Sequence, residues 1–439
     1  MLHRPRISVV IATYNRKEAV LETLQTLPAA GIDFSQDEIF VVDNGSTDGT
    51  REALARLAGV RLILAERNFG SCAKAIGADH THGEFLLFLD DDARPREGSI
   101  EAMLAHFAAE EKLGAAAFVV QLPDGRRECS ALPGVFAGTC VGFRAWAYRQ
   151  VGGLDRTFFM QAEEYDLSFR LLNAGWRVAT FEDLVADHLK TSVSRDAART
   201  TYYDVCNNLR VIGRYLPPPL RAIYRRDWMQ RYRWIAERHG HLGAFWRGAL
   251  AGRWRSMIER REHLPQRLSA TAVEDIFALT FVRTRFERLR EQGVRRVILA
   301  DLGKNLHAFH AGARESGVDV LAVADDFFTG TGRAYRGTPI ITTAQALTYA
   351  PDAFVVSNTS YVHAQERYRD LVNRTSKPVY NWFDGPETGS APPISSTRPR
   401  EAMRRSIEAP WTASPPRETF VAARTPITVH EAAVGAWAE

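Results

Sequence analysis

Cysteine is scarce. Only Cys72, Cys129, Cys140 and Cys206 occur in 439 residues, without the paired spacings that zinc sites use. The four thiols are expected to stay reduced in a cytoplasmic protein. Long hydrophobic runs are missing as well. None reaches the roughly 20 residues that a membrane-crossing helix needs. Residues 1–6 run straight into a strand-like segment, without the long apolar stretch and cleavage site of a signal peptide, so a signal peptide is not expected. Nor does one sign of charge dominate: 56 Lys and Arg against 52 Asp and Glu leave a formal net charge of +4. That balance carries no general nucleic-acid signature. The chain is expected to be soluble or peripherally bound, with room for two or three domains.

What is present is alternation. Residues 7–13, 38–43, 60–65 and 84–90 are short, nearly continuous apolar runs. Helix-like stretches at 17–28, 71–80 and 97–112 separate them. Such runs predict a mainly parallel sheet buried on both faces. Sheets of this kind bind ligands at the carboxyl ends of their strands, where Thr13, Asp43 and Asp90 stand.

The triplet Asp90-Asp91-Asp92 follows one of these runs. Clustered carboxylates at a strand end repel unless water or a cation relieves them. Their hard oxygens suit Mg²⁺ or Mn²⁺. In an extended segment Asp90 and Asp92 point one way and Asp91 the other. A diphosphate bridged by the cation is the natural ligand, because the metal offsets charge on a leaving group. The competing reading is an acidic turn that caps the next helix. Asp43 and the turn Asn44-Gly45-Ser46, beside Thr13-Tyr14-Asn15-Arg16, would complete a nucleoside pocket.

Residues 7–190 resemble a family 2 glycosyltransferase of GT-A fold, most nearly its rhamnosyltransferase-like members. The similarity rests on Val9-Val10-Ile11-Ala12-Thr13-Tyr14-Asn15-Arg16, on residues 42–50, on Asn68-Phe69-Gly70 and on Phe88-Leu89-Asp90-Asp91-Asp92. Gly152-Gly153-Leu154-Asp155, residues 163–170 and Ala174-Gly175-Trp176 extend it. The resemblance implies an inverting enzyme that moves a sugar from a nucleoside-diphosphate sugar to a hydroxyl. The acceptor would be a cell-envelope polysaccharide, glycolipid or other glycoconjugate precursor. It implies Thr13, Tyr14, Asn15, Arg16, Asp43, Ser46, Asn68, Gly70, Asp90 and Asp91 as nucleotide-sugar contacts. Asp90, Asp92 and His188 would hold the metal. Glu164 takes the slot of the catalytic base beside Glu163, although the usual residue there is Asp. Gly152, Gly153 and Asp166 fall on the acceptor side. For His188 a surface histidine packed beside the sheet is the alternative; Lys74 and Arg94 could meet phosphate charge, but solvated surface positions are expected for them. A nucleotidyltransferase would show a phosphate loop after the first strand, which Thr13-Tyr14-Asn15-Arg16 is not. A scaffold with a decayed transferase domain is opposed by the intact acids.

The expected organisation is a GT-A domain over 1–200, a helical extension over 201–290, a small Rossmann-like α/β domain over 291–384 and a disordered tail over 385–439. The extension is basic: between Gly213 and Arg267 there are thirteen Arg and no Lys, with Trp228, Trp234, Trp246 and Trp254 interleaved. This suits solvated helices whose tryptophans pack on the catalytic domain. It also suits an anionic membrane surface, and nucleic acid least. A peripheral place at the inner face of the membrane follows from the second reading. In the Rossmann-like unit Asp325 stands where a ribose contact would be, but Leu302-Gly303-Lys304-Asn305-Leu306 lacks the three-glycine fingerprint.

Overall fold

The structure is a computed structural model and describes residues 5–190, 196–262 and 266–383, with Val429–Glu431. The chain opens with β1 (Ile7–Thr13), α1 (Lys17–Thr26), β2 (Glu38–Asp43), α2 (Thr50–Leu54), β3 (Val60–Leu64), α3 (Lys74–Ala78), β4 (Phe85–Asp90), β5 (Ala93–Pro95) and α4 (Ser99–Ala109). It continues with β6 (Leu113–Gln121), β7 (Arg127–Glu128), β8 (Cys140–Arg144), α5 (Ala145–Gln150), α6 (Glu163–Asn173) and β9 (Arg177–His188).

Strands β3, β2, β1 and β4 lie side by side and parallel. β8 joins β4 antiparallel, then come β6 and β9, and β5 closes on the end of β9. Alternate side chains of the parallel strands enter two separate cores. Val10, Phe40, Val42 and Phe88 pack on one face, Val9, Ile11, Val41 and Leu87 on the other. Both faces are covered, which is why these strands read as continuous apolar runs rather than alternating ones. β9 is long, running from Arg177 to His188. Its last residues pair with β5, so Ala93 faces His188 across the ladder.

Five helices follow: α7 (Ala197–Tyr215), α8 (Pro218–Arg238), α9 (Leu242–Glu262), α10 (Ala270–Phe277) and α11 (Leu279–Glu291). α8 opens on a proline, whose fixed φ and missing N–H fit a first helical turn. α9 lies tight on α7 through Gly248 and Gly252. A Cβ at Gly252 would stand 2.6 Å from the Cys206 carbonyl oxygen. The tryptophans divide. Trp228 is buried, whereas Trp246 and Trp254 are 60% and 61% exposed.

The second sheet contains β10 (Arg296–Ala300), β11 (Asp319–Ala324), β12 (Ala334–Tyr335), β13 (Thr338–Ile341), β14 (Ala353–Val356) and β15 (Val379–Asn381). Between these strands run α12 (Leu306–Glu315), α13 (Thr343–Ala346) and α14 (Tyr361–Val372). The order is β12-β13-β11-β10-β14-β15, parallel except for the β12–β13 pair. The fold is thus mixed α/β with a second sheet. Helix α8 lies against the carboxyl ends of these strands. Trp228 Nε1 donates to the Lys304 carbonyl at 2.8 Å, Arg231 to that of Leu302 at 2.9 Å, and the Tyr224 hydroxyl to Asn305 at 2.6 Å. The Asp325 carboxylate accepts the backbone N–H groups of Leu302, Phe327 and Phe328, so it holds its own loops together. Of the tail, Val429–Glu431 (β16) pairs antiparallel with β3, and the rest of 385–439 lies outside the described residues.

Candidate active site

Four loops at the carboxyl ends of β1 to β4, together with the start of α6, form one cleft. Each loop is locked by its own polar side chains. Asn15 holds a left-handed φ of 51°. Its N–H donates to Ser46 Oγ at 2.9 Å and its Oδ1 accepts from Thr47 N–H at 2.8 Å. The loop after β1 is thereby fixed to the loop after β2. Asp43 is fully buried at the end of β2. It accepts from the Ser46 N–H at 3.1 Å and from Arg51 at 3.2 Å. Asn44 reaches the next loop, where its Oδ1 accepts from the Phe69 N–H at 3.1 Å. Asn68 Oδ1 accepts from the Gly70 N–H at 2.7 Å. Gly70 has a φ of +63°, and a Cβ there would come 2.2 Å from the Phe159 carbonyl oxygen, so this approach requires glycine.

The acidic run divides by direction. Asp91 turns inward and is 4% exposed. Its carboxylate accepts from Thr13 Oγ1 and from Arg16, both at 2.8 Å. Burial raises its pKa, and the Arg16 guanidinium pulls it back down. The hydroxyl of Thr13 is spent on this bond. Asp90 and Asp92 turn the other way. Their oxygens and a ring nitrogen of His188 lie within 4.8 Å of one another. His188 Nε2 stands 3.2 Å from Asp92 Oδ1, placed there by the β5–β9 ladder. His188 is 8% exposed, so it is not the surface histidine that was the alternative. Two carboxylates with one imidazole form a donor set that suits Mn²⁺ and accommodates Mg²⁺ less well.

Lys74 departs from its expected solvated position. It is buried on α3, and its Nζ donates to Asp90 Oδ1 at 2.6 Å and to the Gly138 carbonyl at 3.1 Å. Arg94 is half-buried and pairs with Glu22.

Across the cleft, Glu163 and Glu164 open α6. The segment that delivers them is strained: Phe159, Gln161 and Ala162 all have φ between 64° and 66°. Non-glycine residues in this region persist only where the surroundings hold them. Asn207 on α7 supplies the hold, its Nδ2 lying within 2.9 Å of the carbonyls of Phe158, Met160 and Gln161. Ser71 donates to Glu163, tying the acidic pair to the loop after β3. Burial, and then the neighbouring Glu163 charge, push the Glu164 carboxyl well above its usual range. Asp166 points elsewhere. Fully buried, it accepts from Arg170 at 2.6 Å, Arg214 at 3.0 Å and Tyr215 OH at 2.6 Å. Gly153 offers its carbonyl to the same Arg170 at 2.6 Å, and Gly152 has a φ of +83° beside it. These three acceptor-side candidates form the support of α6. Tyr14 is half-buried in the loop after β1.

Residues 8–161 match the family model described as "Glycosyl transferase family 2". The chain carries a family 2 glycosyltransferase domain. Among similar proteins is "Glycosyltransferase AglE" of Haloferax volcanii, 31% identical over 22% of this chain and 34% of its own length. Another is the N-acetylglucosaminyl-diphospho-decaprenol L-rhamnosyltransferase of Mycobacterium tuberculosis, 26% identical over 53% of this chain and 84% of its own. A solved mannosyltransferase of Pyrobaculum calidifontis, in complex with GDP-Man and Mn²⁺, is 17% identical with a TM-score of 0.40, over 72% of this chain and 88% of its own. The chain spans about a third of the first relative and most of the second. Several parts of the cleft rest on residues that the sequence did not single out, namely Arg51, Ser71 and Asn207. Ser71 directly follows Asn68-Phe69-Gly70, and Asn207 belongs to α7, beyond the motifs.

Proposed function

We propose that this protein is an inverting, metal-dependent glycosyltransferase that uses a nucleoside-diphosphate sugar. The observation that carries the reading is the convergence of Asp90, Asp92 and His188 at a strand end, with an acidic pair at the start of α6 bonded to the loop after β3. Those three residues would hold a divalent cation, which offsets the negative charge of a leaving diphosphate. Asp43, Ser46, Asn15 and Tyr14 line the side where the nucleoside fits. Glu164 takes the proton of the acceptor hydroxyl. The acceptor oxygen then forms its bond to the anomeric carbon from the face opposite the diphosphate. The carbon–oxygen bond to the diphosphate breaks, and its electron pair leaves with that oxygen. A Glu164 whose carboxyl is raised by burial works as a base only above that raised value, so activity should climb with pH through it.

The acceptor in this proposal is a lipid-linked glycan. The name of the mycobacterial relative describes a diphospho-decaprenol acceptor. The surface of α9 supports the same reading. Leu242, Trp246, Leu250, Trp254 and Met257 fall on one helical face, and all are exposed, Leu250 by 75%. Arg247 and Arg253 flank them, also exposed. Tryptophan and arginine along one helical stripe match an anionic bilayer surface. Among the described residues no helix is long and apolar enough to cross a membrane.

A thermal-shift screen of nucleoside-diphosphate sugars with and without Mn²⁺ tests the donor reading. One donor should stabilise the protein selectively, and more strongly with the metal. The selected donor should then support transfer that Glu164→Gln abolishes. Full activity in that variant, or in excess chelator, would remove the base or the metal. Flotation with phosphatidylglycerol vesicles tests the α9 face, and replacing Trp246, Leu250 and Trp254 by Ser should release the protein.

A further inference from the structure

A single ammonium group from the second α/β unit reaches the first turn of α6, against the ring of Tyr165 beside the acidic pair. Lys304 lies in the loop after β10, yet its side chain crosses α8 and ends among residues of α6, α7 and α8. It is 9% exposed. Its Nζ donates to Asn208 Oδ1 on α7 at 2.8 Å. The same nitrogen stands 3.9 Å from the ring centre of Tyr165, 4.4 Å from that of Trp228 and 5.6 Å from that of Tyr232. Three aromatic faces and one amide oxygen form a cage that favours a cation. Tyr165 is the residue after Glu164, so the cage is built directly onto the acidic pair.

We propose that Lys304, caged against Tyr165 next to Glu164, is a positioning residue of the transferase site, which couples docking of the second α/β unit to activity through its charge. The loop backbone fixes the reach of the lysine. Trp228 Nε1 holds the Lys304 carbonyl at 2.8 Å, and the neighbouring Asn305 is tied to Tyr224 and to the Phe277 carbonyl at 2.6 and 2.8 Å. The second unit thus contributes a charge where the transferase domain holds surplus carboxylates.

The charged and titratable groups around the pair can be named. Glu163 adjoins it on α6, and Ser71 bonds to Glu163. The charges of Asp204 on α7 and Arg231 on α8 also act on Lys304, and the rings of Tyr165 and Tyr232 stand beside its ammonium. On the far side Lys74 acts on Glu163. Burial pulls the Lys304 ammonium down to about 7, while Asp204 and Glu164 pull it up. Burial raises Asp204 to about 6, and Lys304 opposes that rise. Lys304 likewise opposes the rise of Glu164. Removing a positive charge from beside a carboxyl raises the carboxyl further.

The catalytic consequence rests on Glu164 as base, but the charge coupling does not. The experiment therefore reads the carboxyl directly. Full-length protein labelled with ¹³C at glutamate side-chain carboxyls is titrated by NMR, the Glu164 signal being assigned by its loss in Glu164→Gln. Lys304→Met should move the Glu164 midpoint upward by about one pH unit. Lys304→Gln retains a donor for Asn208 without the charge and should do the same, which covers the case in which the Met variant fails to fold. Lys304→Arg should keep the midpoint near that of the parent. The pH–rate profile with the donor selected above should shift its acidic limb in parallel. An unchanged Glu164 midpoint in the folded neutral variants would overturn the coupling. A shifted midpoint with full activity in Glu164→Gln would keep the coupling and remove the base.

Discussion

Lys74 Nζ lies 2.6 Å from Asp90 Oδ1, so the first carboxylate of the acidic run already has a buried cation beside it. Asp92, two residues on, is 3.2 Å from His188 Nε2. Two carboxylates that share a cleft therefore have different partners, one an ammonium and the other an imidazole able to bind metal.

The first prediction concerns that asymmetry. Lys74 competes with a divalent cation for Asp90, so Lys74→Met should bind Mn²⁺ more tightly, by about tenfold. Titration calorimetry with Mn²⁺ alone measures this. Weaker binding in the variant would show that Lys74 supports the cation site and does not compete with it.

His188→Ala should have the opposite effect. It removes one donor of three, so Mn²⁺ affinity should fall by about 10- to 100-fold. Asp92→Asn should lose at least as much affinity, and donor-dependent turnover with it. Equal Mn²⁺ affinity in the parent and both variants would refute this ligand assignment.

Asn207 gives a prediction about dynamics. Its amide spans three carbonyls of the strained segment before Glu163. Asn207→Ala should cost about 1–3 kcal/mol of stability, because buried carbonyls lose their donor. It should also lower kcat more than it raises KM, since the acidic pair loses its fixed position. Proteolysis within 158–162 should accelerate. An unaltered kcat would mean that α6 alone fixes the pair.

Asp301 provides a pH dependence in the second unit. Burial raises its carboxyl to about 6, against the pull of the Arg367 guanidinium 3.0 Å away. A carboxyl raised in the folded state favours folding at low pH. Its contribution is complete below the unfolded value and is lost as pH rises through about 6. The loss should be about 3 kcal/mol. Asp301→Asn should flatten that part of the stability profile, measured as urea midpoints at several pH values. Parallel profiles for variant and parent would exclude Asp301 as the source.

The strand runs of the first domain were legible because burial on both faces leaves a continuous apolar signature that needs no tertiary information. The acidic triplet was legible for a related reason: adjacent charges at a strand end are rarely placed there without a ligand or a cap. The opposed directions of Asp90 and Asp91 follow from backbone alternation alone. Lys74 was not legible. Local sequence cannot tell a buried lysine from a solvated one, because the difference is the distant carboxylate it meets. The Trp-rich helices were legible as helices, but not as to which tryptophan faces solvent. Trp228 is buried where the second unit meets α8, whereas Trp246 touches Phe245 and is otherwise largely exposed.

The sequence by itself determined the strand–helix alternation, the loops at the carboxyl ends and the acidic residues that stand on them. These depend on periodicity and on turn chemistry within a few residues. Tertiary structure decided the rest. It brought His188 to Asp92 through a ladder between β5 and β9, set Asn207 against the strained segment before α6, and carried Lys304 from the second sheet to the first turn of α6. Each of these pairings joins residues far apart in the chain. Their formation depends on the packing of whole elements, which no local pattern encodes.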